Sequence, residues 1–112
     1  MEVVGESHYL DALTAITGRR GREHIRQPAL AALVREPDNP YDADAVAIWI
    51  DGRKVGHLSR SDAQAYQEPL LVLARQNRVL ARDALICGHE DTPNLGVWLE
   101  LPAVDDVLLA IS

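Results

Sequence analysis

Residues 35–66 read REPDNPYDADAVAIWIDGRKVGHLSRSDAQAY, and this run decides the fold. Its opening, 37–44 (PDNPYDAD), is a dense turn signal, because proline fixes its own φ and short Asn and Asp side chains bond nearby backbone. Residues 45–50 (AVAIWI) follow as a strand, with Val46, Ile48 and Ile50 facing one way and Ala45, Ala47 and Trp49 the other. Asp51-Gly52 is a favoured two-residue hairpin turn, and 53–58 (RKVGHL) is the return strand. Ser59 then caps a helix over roughly 60–75 that packs Ala63, Tyr66, Leu70 and Leu73. Pro69 lies inside that helix and is expected to divide it.

Outward from this segment the same rules apply. Residues 78–88 and 95–101 are two further strands joined by the loop 89–94, and the last ten residues after Pro102 form a short helix with Asp105 and Asp106 in its first turn. Toward the N-terminus, 29–35 is a strand bounded by Pro28 and Pro37, and 19–26 is a charged loop. Leu10, Leu13 and Ile16 share a helical face over 9–17 that Gly18 stops, and 2–9 is a first strand. Five or six short strands and two helices result. Strands paired by hairpins hide their edges by closure, so the expected architecture is an α+β domain built on a small antiparallel barrel.

The chain has 112 residues, one domain's worth spanning 1–112, and 47% of them are hydrophobic, enough for a modest core. No stretch has the length of a membrane span and the N-terminus lacks a signal-peptide pattern, so a cytoplasmic protein is expected, with no membrane partner. Cys87 is the only cysteine; it can form neither an internal disulfide nor a cysteine zinc site, and reads as a small core residue. The net charge is −6, from 17 acidic and 11 basic residues, yet the last 30 residues hold no base, and Arg19, Arg20, Arg22 and Arg26 cluster. An acidic whole with a locally basic face is permissive for nucleic acid without demanding it.

The turn DNPYD, the Ala-Val strand, the VGHL strand and the helix opening near Ser59-Arg60 together resemble the HIRAN domain family. VVGESHY at the N-terminus and GVWLEL near the C-terminus extend the resemblance over residues 3–101. It implies an OB-like barrel with two helices and a non-enzymatic module that binds DNA, preferably single strands or their 3′-hydroxyl ends, in DNA repair or processing. A helicase or nuclease is the expected protein partner, and no cofactor is implied. By the same resemblance Asn39, Tyr41 and Asp42 line the pocket, with His8 and Arg60 completing it. Asp42 would accept a hydrogen bond from the terminal hydroxyl, Tyr41 would contact the last nucleotide, and Arg60 would face the phosphates. An ionised carboxylate is acceptor-only, so it suits a hydroxyl and repels a phosphorylated end.

Two departures stand out. Ser7-His8 occupies the place of an Arg-Tyr pair in the 3′-end binder, and Glu90 and Asp91 in the 89–94 loop would oppose a phosphate. They motivate an alternative: a protein-interaction module that keeps the fold and has lost the DNA pocket. A metal-dependent hydrolase using Glu36, Asp38, Asp42 and Asp44 is a third reading, but their spacing does not match a calcium loop and the four histidines show no paired ligand spacing. Each motif also has a plain structural role available. The DNPYD side chains can simply cap backbone amides, Trp49 and Trp98 can pack, His57 can be a half-buried packing residue, and the arginine cluster can be a solvated loop.

Overall fold

The computed structural model describes residues 9–111. The strand expected at 2–9 and the Ser7-His8 pair therefore fall outside the described residues, apart from Tyr9 at the strand's end. The elements run α1 (Leu10–Thr17), β1 (Ile25–Arg35), β2 (Val46–Ile50), β3 (Arg53–His57), α2 (Arg60–Ala65), α3 (Gln67–Arg75), β4 (Leu80–Gly88), β5 (Leu95–Leu99) and α4 (Val104–Ile111).

The five strands form one antiparallel sheet in the order β3-β2-β1-β4-β5, curled into an OB-like half-barrel. The edge strands β3 and β5 are not paired with each other in this sheet. Instead α1 packs against both of them, so a helix takes over the closure expected of strands. Gly18, at φ 68°, ends α1 in the left-handed region and donates its N–H to the Thr14 carbonyl.

β1 organises the sheet. It pairs with β4 from Ile25 to Leu33 and with β2 from Ala32 to Arg35, so it serves the two halves in succession. The strand begins at Ile25 rather than after Pro28. Pro28 is tolerated there because β2 reaches only as far as Ala32, leaving this stretch of β1 paired on one side. Asp51 and Gly52 both have positive φ, as a two-residue turn matched to strand twist requires.

The 60–75 helix is divided at Tyr66, giving four helices among the described residues. Pro69 has no N–H to return to the carbonyl four residues earlier, so the chain restarts as α3 with Pro69 in its first turn. Ser59 caps α2 by accepting from the Asp62 N–H. The inward faces of the strands supply Leu33, Val46, Ile48, Ile50, Val55, Ile86, Val97 and Leu99, and Leu13, Ala63, Tyr66, Leu70, Leu73 and Val107 cover them from the helices; all are buried. The Tyr66 hydroxyl donates to the Pro102 carbonyl, which ties α4's entry to this core.

Candidate nucleic-acid interface

The 36–45 turn is built almost wholly from its own side chains. Asn39 N–H donates to the Glu36 carbonyl (3.0 Å) across Pro37-Asp38, and Ala45 N–H donates to the Asp42 carbonyl (3.1 Å). Between these two tight turns, Asn39 Oδ1 accepts from the N–H groups of Tyr41 (2.9 Å) and Asp42 (3.1 Å). Asp42 Oδ1 accepts from the Asp44 N–H (2.9 Å), and Gln67 Nε2 reaches across from α3 to the Asp44 carbonyl (2.7 Å). The capping role open to Asn39 and Asp42 is thus real, as side chains of this length allow. Tyr41 takes no part in it: its ring is 90% exposed at the apex.

Beside the apex lies a shallow recess of about 220 Å³, bordered by Asn39, Tyr41, Asp42, His57 and Arg60 over a floor of Ala45, Leu58 and Ala63. Four of the five residues expected at the site, Asn39, Tyr41, Asp42 and Arg60, therefore meet in one concavity; the fifth, His8, lies outside the described residues. Arg60 Nε stands 3.6 Å from Asp42 Oδ2, a loose ion pair whose arginine side chain is 74% exposed. The recess offers a carboxylate oxygen, a solvated guanidinium and an aromatic face side by side.

Under the recess is a network that sequence reasoning missed. Glu36 Oε2 meets Lys54 Nζ at 2.5 Å, and Glu36 Oε1 meets His57 Nε2 at 2.7 Å and Asn39 Nδ2 at 3.3 Å. The Lys54 ammonium also sits 5.9 Å from the Tyr9 ring centroid, within cation–π range. Burial would raise the Glu36 carboxyl, but hydrogen bonds from Lys54, His57 and Asn39 outweigh it and hold the group below its ordinary value. The hydrogen bond to Glu36 outweighs burial at Lys54 too, and raises the ammonium's pKa.

Alternation would place Lys54 and His57 on opposite faces of β3. A β-bulge reverses this: Ile48 pairs with Gly56 but Trp49 pairs with Lys54, leaving Val55 without a partner. Both side chains then face Glu36. The only trace of this in the sequence is the polar pair three residues apart around a glycine.

Arg19 leaves the basic cluster, whose other members, Arg20, Arg22 and Arg26, are exposed. It is 6% exposed, and its five N–H donors reach five backbone carbonyls: Nε to Glu23, Nη1 to Pro93 and Asn94, Nη2 to His89 and Thr92. It fixes the 89–94 loop and offers no charge to a ligand. Glu90 and Asp91 line a separate recess with His24 and His89, whose lining shares no residue with the recess at Tyr41. Trp98 is 51% exposed on the outer face beside Leu85, against the expectation of packing, while Trp49 is half-buried. Cys87 is also half-buried rather than in the core, opposite Gly96 and Arg26 on the same outer face. The carboxylates of 36–44 do not converge, and no group of three or more His, Cys, Asp or Glu among the described residues is placed to hold a metal ion.

A curled five-stranded half-barrel with an exposed tyrosine over a mixed-charge recess defines a small OB-like binding module. The chain belongs to the HIRAN domain family, whose model matches residues 4–95. This is a family of DNA-binding domains that are not themselves catalytic, and membership implies a nucleic-acid-related function for the chain. Beyond the family model, no curated protein and no solved structure matches the chain. No helix among the described residues is long and apolar enough to cross a membrane.

Proposed function

We propose that this domain binds single-stranded DNA, preferably at a free 3′-hydroxyl end, through the recess at Asn39, Tyr41, Asp42 and Arg60, as a targeting module in DNA repair or processing. The observation that carries the reading is Tyr41: a large aromatic left 90% exposed at the tip of a turn that its neighbours hold rigid. The fixed backbone presents the ring to solvent, where it can stack on a base, and stacking is indifferent to which base it meets. Among the described residues Asp42 Oδ2 has no hydrogen-bond partner closer than the loose contact to Arg60, which leaves it able to accept from a terminal hydroxyl. Arg60, projecting into solvent beside Asp42, would meet a phosphate of the bound strand in this reading. Any partner helicase or nuclease would be delivered to the strand end by this contact; the domain itself performs no reaction.

The test is a fluorescence-anisotropy titration with labelled oligonucleotides bearing a free or a phosphorylated 3′ end, across a salt series. Tighter binding of the free end, with affinity falling as salt rises, is expected. Equal binding of both ends removes end recognition, and absence of binding removes the site.

A further inference from the structure

A second surface lies where β1 loses one of its neighbours. Its pairing with β4 ends at Leu33–Leu80, while its pairing with β2 continues to Arg35. Over Val34 and Arg35 the β4 side of the strand therefore faces the end of α3 across a gap. The opposite wall is firm: the N–H groups of Gln76 and Arg78 both donate to the Leu73 carbonyl, and Asn77 turns the chain at φ 56°. The gap is a groove of about 270 Å³, walled by Val34, Pro37, Leu70, Ala74 and Val79 and flanked by Arg35 and Arg78. Val34 and Val79 are left exposed there.

The charge of this groove is unusual for the chain. The protein has six more acidic than basic residues, yet no carboxylate lines the groove. Arg35 Nε donates to the Gln67 carboxamide and Arg78 Nη1 to that of Gln76, both neutral. Neither arginine has a carboxylate partner among the described residues. Two uncompensated cations beside an open aliphatic trough complement a ligand that is both aliphatic and anionic. No aromatic ring lines the groove, so it offers a nucleobase nothing to stack on.

We infer that this groove docks a short segment of a partner protein that presents an aliphatic side chain flanked by Asp or Glu. At about 270 Å³ the trough has room for one or two aliphatic side chains. The segment's carboxylates pair with Arg35 and Arg78 at the rim, where such pairs set orientation and specificity more than affinity. The groove shares no lining residue with the recess at Tyr41, so both can be filled at once, and the inference does not depend on the DNA reading.

The test uses the intact, isotope-labelled protein and three capped hexapeptides followed by amide chemical shifts to millimolar concentration. The probe is Glu-Asp-Leu-Leu-Asp-Glu; the controls are Lys-Arg-Leu-Leu-Arg-Lys and Glu-Asp-Ala-Ala-Asp-Glu. The probe alone is expected to move the amides of Leu33, Val34, Ala74 and Val79. Arg78→Glu should weaken it about fivefold, since one exposed attraction becomes a repulsion. Ala74→Trp, at an exposed position, should fill the groove and abolish the shifts while the melting temperature is kept. The inference is overturned if the probe moves no amide, if the basic peptide moves the same amides equally, or if the shifts centre on Tyr41 and Asp42. It is equally overturned if a single-stranded oligonucleotide displaces the probe from these residues.

Discussion

The 36–45 turn and the 89–94 loop are both fixed, by opposite means. The first is held mainly by its own short side chains: Asn39 and Asp42 bond amides two or three residues away, while Gln67 reaches the Asp44 carbonyl and Lys54 and His57 meet Glu36 at its start. The second is held chiefly by a distant guanidinium, Arg19, which meets four of the loop's carbonyls, with Arg22 at the Asp91 carbonyl. A self-capped turn leaves its long side chains free, and Tyr41 stands clear of the surface. A loop fixed from outside consumes a cation. The contrast teaches that a count of arginines overstates the charge available to a ligand, and that an exposed ring means most on a turn that needs no help from it.

Removing the clamp gives the largest expected effect. Arg19→Ala removes five part-buried hydrogen bonds at once and should cost about 3 kcal/mol in urea unfolding, while DNA affinity of the folded fraction changes by less than about twofold. If Arg19→Ala instead left stability intact and weakened DNA binding, the two regions would have been assigned the wrong way round. Tyr41→Ala should show the reverse pattern: a loss of about 1–3 kcal/mol in binding of single-stranded DNA, with stability unchanged within about 0.5 kcal/mol. Anisotropy and thermal melting on the same samples check it.

Gly88→Ala sharpens the contrast further. A Cβ there would lie 2.6 Å from Leu95 Cδ2 and 3.0 Å from Arg19 Cζ. The leucine can swing away, but the clamped guanidinium cannot, so a loss of about 1–2 kcal/mol is expected by denaturant titration.

The smallest effect is that of pH on the network beneath the turn. The Glu36 carboxyl is held below its ordinary value of 4.5. Its contribution to stability is therefore present above that pH and lost as pH falls through the lowered value. Acid melting curves of Glu36→Gln should lack this component, and identical acid profiles for variant and parent would show that the network contributes nothing to folding.

Much of this architecture is legible in the chain. The Asp51-Gly52 hairpin, the Ser59 cap, the Gly18 stop and the helix broken ahead of Pro69 follow from local stereochemistry that few tertiary contacts override. The grouping of Asn39, Tyr41, Asp42 and Arg60 was readable only through the resemblance to the HIRAN family, carried by the turn and the VGHL strand after it. What was hidden depends on partners far apart in sequence. Nothing local marks Arg19 as buried beside charged neighbours, since four of its five acceptors lie about 70 residues on and all are backbone atoms. Pro28 reads as a strand boundary until it is known that β2 stops short of it.

The unpaired Val55 makes the site sensitive to chain length in a way that point substitutions would not reveal. Deleting one residue there would let β2 and β3 zip up without interruption, a gain for the ladder. The same deletion would rotate either the lysine or the imidazole away from Glu36, leaving the carboxylate with one of these two partners. Insertions and deletions in β3 should therefore be tolerated far less well than exchanges of side chain, however conservative the new backbone looks.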